Sequence, residues 1–142
     1  MTRLAKLLIA GLLVLGGSAP VFAADLVAVS VDDPGACANG KVLNRITHRF
    51  RHQVRHVPNL PQVDITDFYR IRENRFEPQA SDSPIERRYC HATAALSDGR
   101  SRDIWYLIER PMGFAGIGSN VEFCVDGFDR WRVYNGRCRV LR

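Results

Sequence analysis

The feature that most constrains the fold is a single apolar stripe of helical period between residues 39 and 57. Its members recur every three or four positions, as on one face of a helix: Leu43, Ile46, Phe50, Val54 and Val57. Asn39 is a suitable N-cap, and Pro58 ends the helix because a residue before proline avoids the helical region. A longer helix from Pro34 is possible, but it would direct Cys37 away from the stripe. A helix with one apolar face requires a second layer to cover it.

Beyond Pro61 the period changes to two, which is typical of a half-buried strand. The apolar positions of this segment are Val63, Ile65, Tyr69 and Ile71, and a short helix over residues 64–73 is the competing interpretation. Residues 76–84 are predicted to form a loop. Asp98-Gly99 then predicts a hairpin of strands 85–96 and 102–110, because such a turn needs positive φ.

The rest of the chain predicts further strands. A glycine-rich connection over residues 112–120 leads to a strand at 120–125, and turns at Asp126-Gly127 and Asn135-Gly136 separate two more, at 130–134 and 137–141. An N-terminal helix followed by four to six antiparallel strands is an α+β layout, with the helix packed on the meander. Cystatin-like folds have this order of elements, and the analogy implies no protease inhibition.

The first 23 residues have the organisation of a secretory signal peptide. Arg3 and Lys6 precede an apolar run over residues 7–15, and small residues lead to Ala23. The run is too short to span a bilayer and no second one follows, so no transmembrane segment is expected in the mature chain. We therefore predict cleavage near Ala23 and one disulfide-bonded domain over residues 24–142, in the periplasm or secreted.

Loss of the signal peptide leaves 18 basic and 15 acidic residues, a net charge of +3 with neutral histidines. Lys41 is the only lysine among these basic residues. Arginine pairs bidentately with carboxylate and phosphate and stacks on aromatic rings. The composition therefore suits anionic partners, although a modest positive charge also describes many solvated surfaces.

An exported chain with four cysteines is expected to contain two disulfides. Four cysteines allow three pairings. We favour Cys124–Cys138, which closes a short loop, and hence Cys37–Cys90, which would tie the helix to the sheet.

Opposite the apolar stripe, the predicted helix carries a basic face of four permanent cations and three histidines. No acid lies among residues 39–57 to neutralise this basic face, so it should attract phosphate, carboxylate or sulfate groups. Histidine ordinarily titrates near pH 6.5, so the face should gain charge in acid. It is also compatible with an ordinary solvated helix surface. Its members are Lys41, Arg45, His48, Arg49, His52, Arg55 and His56.

Three further patterns do not establish a site. His48, His52 and His56 have the four-residue spacing of metal ligands, but neighbouring arginines oppose a divalent cation and no nearby Cys or Asp completes the set.

The glycine-rich GFAGIG segment, residues 113–118, matches neither common phosphate-loop motif and lies between strand patterns. Adjacent Cys90 and His91 would point to opposite faces of a strand and cannot act as a nucleophile and base. No metal or cofactor is predicted.

Aromatic residues concentrate in the second half of the chain, and Arg130-Trp131-Arg132 could stack on and clamp an anionic ligand. Aromatic residues that alternate in strands are more often the core of a small sheet. Export makes nucleic acid an improbable partner. A binding surface and a buried sheet core both remain compatible with this pattern.

Residues 87–142 resemble the C-terminal part of a family of short exported proteins from alphaproteobacteria. The motifs that carry the resemblance are Tyr89-Cys90, the LSDGR turn, the strand YLIE, the GFAGIG segment, Glu122–Cys124 and DRWRVYNGRC. The resemblance implies export and paired cysteines. It implies no activity and no catalytic residue.

Together these observations favour a non-catalytic binding or accessory module. Its basic face would bind an anionic envelope component or an acidic periplasmic protein. Replacing Arg45, Arg49 and Arg55 with glutamine is expected to abolish binding without disturbing the fold. The alternative is a small cell-envelope hydrolase with an unfamiliar site, which a pocket of convergent buried titratable residues would favour.

Overall fold

Helix α1 spans Gly40–His56 in the computed structural model, which describes residues 35–112 and 118–142. The side chain of Asn39 caps the helix by accepting a hydrogen bond from the backbone N–H of Lys41 at 3.0 Å. The helix ends at Val57, before Pro58. The predicted bounds and both end signals are therefore confirmed. The predictions for residues 1–23 and 113–117 lie outside the described residues.

Four antiparallel strands follow in a simple meander, each paired with the next along the chain. The strands are β1 (Ile65–Glu77), β2 (Glu86–Leu96), β3 (Ser101–Arg110) and β4 (Asn120–Val125). The hairpin at Asp98-Gly99 and the strand at 120–125 are as predicted, and Gly99 has the expected positive φ of 80°. Over the described part of the chain, one α-helix and a four-stranded antiparallel sheet make the fold α+β.

The apolar face of α1 covers one face of the sheet and forms the main core. Ile46 and Phe50 are fully buried, and Val42 and Val54 are nearly so. Their neighbours on the sheet alternate along β2, β3 and β4, and include Ala92, Ala94, Ile104, Tyr106, Ile108 and Val121. The alternation leaves the intervening side chains on the outer face of the sheet.

Strand β1 differs from its prediction in length and in phase. It continues to Glu77, into the predicted loop, because Phe76 pairs with Arg88 and its ring lies 3.9 Å beneath that guanidinium. Tyr69, predicted to face inward, is half exposed. The period is interrupted before Tyr69, where the pairing register shifts between Ile65 and Asp67. It is interrupted again after Tyr69, where Arg70 has a positive φ of 51° and the register shifts before Arg72. The competing short helix does not form.

The predicted strands at 130–134 and 137–141 are wrong. Turns and a 3₁₀ helix at Arg139–Leu141 take their place. Positive φ angles at Asn135, Arg137 and Cys138 are incompatible with extended backbone. The carboxylate of Asp129 also accepts the backbone N–H groups of Tyr134 and Gly136, which a strand ladder would have used.

Two disulfides hold the non-repetitive segments on this framework. Cys37–Cys90 joins the turn before α1 to β2, and Cys124–Cys138 joins β4 to the C-terminal segment, which are the favoured pairs. Paired cysteines fit an oxidising compartment outside the cytoplasm. Among the described residues, no helix is long and apolar enough to cross a membrane.

Candidate anion-binding groove

Two arginines of the predicted basic face contact β4 instead of projecting only into water. Arg45 donates from Nη1 to the carbonyl of Ser119 at 2.7 Å, and Arg49 donates to the carbonyl of Val121 at 2.6 Å. Ser119 lies directly before β4 and Val121 lies within it, so both arginines bind backbone carbonyls at one edge of the described sheet. These two contacts with the sheet were not predicted from the sequence.

The remaining members of the basic face divide between solvent and two concave regions. Arg55 and His56 are exposed and line neither region. The ring of His56 stacks on that of His52 at a centroid distance of 3.9 Å, and its Nδ1 lies 2.7 Å from the carbonyl of His52. Within residues 35–112 and 118–142, no three His, Cys, Asp or Glu side chains are placed to hold a metal.

The larger concave region is a groove of about 400 Å³ between α1 and residues 123–134. The helix contributes His48, Arg49 and His52 to one wall. The opposite wall is largely apolar and aromatic, and its members include Phe123, Phe128, Trp131, Val133 and Tyr134. The groove thus places cationic and titratable groups opposite a hydrophobic surface.

The position of the aromatic wall follows from local sequence. Gly127 adopts a φ of 85° in the turn after β4, which brings Phe128 back onto the core. There its ring meets Phe50 edge-on at 4.9 Å, and its carbonyl accepts a hydrogen bond from Gln53 at 3.1 Å. The aromatic wall is therefore attached directly to the helix. Beyond it, Trp131 stays 65% exposed at the edge of the groove.

The electrostatic character of the groove is cationic. Arg49 and Arg130 contribute permanent positive charges, and His48 and His52 lie beside Arg49 on the helix wall. Asp129 is the one acid among the described lining residues, and its oxygens already accept two backbone N–H groups. Burial raises the pKa of Tyr134, with Glu122 and Asp129 adding to the effect and Arg49 opposing it. Tyr134 therefore keeps its proton at neutral pH.

A second, smaller cleft of about 290 Å³ lies near the start of α1. Lys41, Arg45 and Arg110 line it together with Asn39 and Ser119, and no acid is among its described lining residues. The predicted basic face is thus split: Lys41 and Arg45 belong to this cleft, and His48, Arg49 and His52 belong to the groove. Sequence reasoning did not predict the division, because it depends on where β4 meets the helix.

A buried histidine on the outer face of the sheet was also not predicted as a titratable site. His91 Nε2 lies 3.2 Å from a carboxylate oxygen of Asp103, while Nδ1 is buried without a hydrogen-bond partner among the described residues. Burial lowers the pKa of His91, as do Arg72 and Arg70, and the Asp103 carboxylate opposes them. Cys90 faces the helix side within its disulfide, so the two neighbours do point apart, as the strand pattern predicted.

Comparison with known proteins returned no match to a family model, to a curated protein or to a solved structure.

Proposed function

We propose that this protein is a non-catalytic binding protein that takes a small amphiphilic anion, a phosphate or carboxylate carried on an apolar body, in the groove between α1 and residues 123–134. The proposal rests on one observation. Arg49, His48 and His52 line one side of the groove, and aromatic side chains line the other. The anionic group would pair with the helix side, and the apolar body would cover the aromatic side.

The size and lining of the groove support a ligand of this class. Its volume of about 400 Å³ lies within the range of small-molecule sites, roughly 300–1,000 Å³. Such sites are mostly apolar, with a few polar groups that orient the ligand. Here Arg49 is fixed by its bond to Val121, so it is already ordered before a ligand arrives. Ordering before binding lowers the entropic cost of association.

The cellular setting that we propose is outside the cytoplasm, after cleavage near Ala23. The disulfides are consistent with export, and the alphaproteobacterial resemblance supports a periplasmic location. A cystatin-like arrangement, with the helix cradled by a curved meander, is the architecture that we propose for the whole domain. In that setting an anionic component of the envelope is an available ligand.

Calorimetric titration with octyl phosphate below its micellar concentration tests the proposal. Octanol and inorganic phosphate serve as the apolar and anionic halves of the probe. We expect octyl phosphate to bind at least tenfold more tightly than either half, because each half uses only one wall of the groove. Equal affinity for inorganic phosphate, or no binding of octyl phosphate, would refute the proposal.

Two groove variants and one matched variant locate the site. Trp131→Ala should weaken octyl phosphate binding, and Arg130→Gln should weaken it by about two- to fivefold, as for an exposed charge pair. Arg55→Gln removes the same charge from an exposed position that does not line the groove, so it should bind like the wild type. If Arg55→Gln weakens binding as much as Arg130→Gln does, general charge attraction explains the binding and the groove does not.

A further inference from the structure

The C-terminal arm, residues 130–142, has an unusual composition for a segment of a folded domain. It contains five arginines and no acidic residue. The arm is anchored at two points: the disulfide between Cys124 and Cys138, and the buried side chain of Leu141. The backbone of the arm consists of turns up to Cys138 and one short 3₁₀ helix at Arg139–Leu141.

Most arginines of the arm have no side-chain partner among the residues that the structure describes. Elsewhere, Arg88 pairs with Glu73 at 2.8 Å and Arg51 pairs with Asp64 at 2.8 Å. By contrast, four arm arginines are exposed, and none forms an ion pair or side-chain hydrogen bond with any residue that the structure describes: Arg130, Arg132, Arg137 and Arg139. Their charges are therefore available to an external anion.

The fifth arginine fixes the end of the arm on the outer face of the sheet. The guanidinium of Arg142 lies 4.3 Å above the ring of Trp105, and its Nη2 donates to the carbonyl of Arg137 at 2.7 Å. The arm is thus held against the domain while its other arginines stay free.

The same arm displays apolar side chains to solvent. Trp131, Val133 and Val140 are 65%, 68% and 57% exposed, and they are three of the five large hydrophobic side chains that are exposed among the described residues. The backbone N–H of Val140 donates to the carbonyl of Tyr134 at 3.4 Å, which brings the two halves of the arm together. Exposed apolar side chains that gather in one region commonly mark an interaction surface.

The backbone of the arm contains an unusual number of left-handed residues. Four of the six non-glycine residues with positive φ in the described chain lie in this arm: Arg132, Asn135, Arg137 and Cys138. A left-handed conformation is unfavourable for such residues, so other contacts must hold it. Asp129, by accepting the N–H groups of Tyr134 and Gly136, and the Cys124–Cys138 disulfide supply those contacts.

We propose that this arm docks on the surface of an anionic lipid bilayer. The free arginines bind lipid phosphates, Trp131 lies at the level of the headgroups, and the two valines enter the boundary of the acyl chains. Free basic side chains combined with exposed aromatic and aliphatic ones are typical of segments that bind in the membrane interface. An acidic protein surface would also satisfy the arginines, and the competition with soluble polyglutamate described below distinguishes it from a bilayer.

Sedimentation with lipid vesicles tests this proposal on protein purified from the extracytoplasmic fraction of an expressing bacterium. The vesicles are phosphatidylcholine alone, or phosphatidylcholine with one quarter phosphatidylglycerol. We expect binding to the anionic vesicles, weak binding to the neutral ones, and weaker binding as salt rises, because exposed charges are screened. Equal binding to both vesicles overturns the proposal, as does displacement from anionic vesicles by soluble polyglutamate at an equal concentration of charge.

Two triple variants distinguish binding by the arm from attraction due to the overall positive charge of the protein. The triple variant Arg132→Gln, Arg137→Gln, Arg139→Gln should lose affinity for anionic vesicles by about a hundredfold, since each basic residue near the surface contributes about fivefold. A matched triple variant, Arg55→Gln, Arg72→Gln, Arg100→Gln, removes the same charge from exposed positions outside the arm and should retain most of the binding. Similar losses in the two triple variants would overturn the proposal.

A variant without a change of charge tests the apolar contribution. Val140→Asn should weaken binding to anionic vesicles severalfold, and undiminished binding would contradict insertion of this residue. It also keeps the proposal testable if the arginine variant fails to fold. Arg130, Trp131 and Val133 belong to both the arm and the groove, whereas Arg132, Arg137, Arg139 and Val140 do not line the groove, so these variants test the arm separately from the proposed ligand site.

Discussion

The hydroxyl of Tyr106, on the central strand β3, donates a hydrogen bond of 2.8 Å to the carbonyl of Cys37, which lies just before α1. Both residues are fully buried. Burial raises the pKa of Tyr106, so the phenol keeps its proton and remains a donor at neutral pH. The entry to the helix is thus fixed to the sheet twice, through this bond and through the Cys37–Cys90 disulfide.

Tyr106→Phe should lower the free energy of unfolding by about 1–3 kcal/mol, because it leaves the buried carbonyl of Cys37 without its donor. Urea unfolding followed by circular dichroism measures the change. Tyr69→Phe removes the same hydroxyl from a half-exposed side chain and should change stability by less than about 0.5 kcal/mol. If the two variants are equally stable, the buried hydrogen bond does not contribute as described.

Phe50→Ala should cost about 3–5 kcal/mol, because the ring is fully buried and packs edge-on against Phe128. His52→Ala, on the exposed side of the same helix, should cost less than about 0.5 kcal/mol. Both values come from the same urea titration. Equal costs would show that the two faces of α1 are assigned incorrectly.

Loss of the Cys37–Cys90 disulfide, in the double variant Cys37→Ala and Cys90→Ala, should destabilise the domain by about 2–5 kcal/mol. Thermal unfolding under non-reducing conditions measures the effect. Thiol titration of the wild-type protein, denatured without reductant, should find no free thiol. Detection of four thiols would show that neither disulfide forms in the cell.

The elements predicted correctly from the sequence are those whose local residue pattern matches the way that they pack in the fold. The stripe of α1 lies between Asn39 and Pro58, and the strand at 120–125 lies between turn residues, so local signals define both elements. The conformation of the C-terminal arm was not predicted, because it depends on contacts between residues that the alternation of apolar and polar side chains does not reveal. Asp129 takes the backbone donors of Tyr134 and Gly136, and this replaces the strand pairing that the alternation suggested.

The candidate site was predictable only in part for a similar reason. The cationic character of α1 can be read from its residues, but the wall that faces His48 and His52 comes from a segment that had been predicted as a strand. The bonds from Arg45 and Arg49 to β4 depend on the packing of helix against sheet. The proximity of His91 to Asp103 follows from the hairpin register, in which Asp103 lies opposite Thr93, two residues away on the same face, and the sequence analysis assigned no register.

The lowered pKa of His91 makes the stability of the fold depend on pH. Burial is the largest cause, and Arg72 and Arg70 act in the same direction, against the attraction of Asp103. The unfolded chain takes up a proton on this histidine near its ordinary pKa of about 6.5, whereas the folded protein takes it up only at lower pH. The stabilisation is therefore complete above pH 6.5 and is lost as the pH falls from 6.5 through the folded pKa.

Urea unfolding between pH 7.5 and pH 5.5 measures this dependence. The wild type should lose stability over that interval, and His91→Gln, which removes the titrating group, should lose less. His48→Gln removes an exposed histidine and should keep the wild-type dependence on pH. The variants are compared by the change in unfolding free energy between the two pH values, because His91→Gln also removes the contact with Asp103. If the wild type and His91→Gln change by the same amount, another group is responsible for the pH dependence.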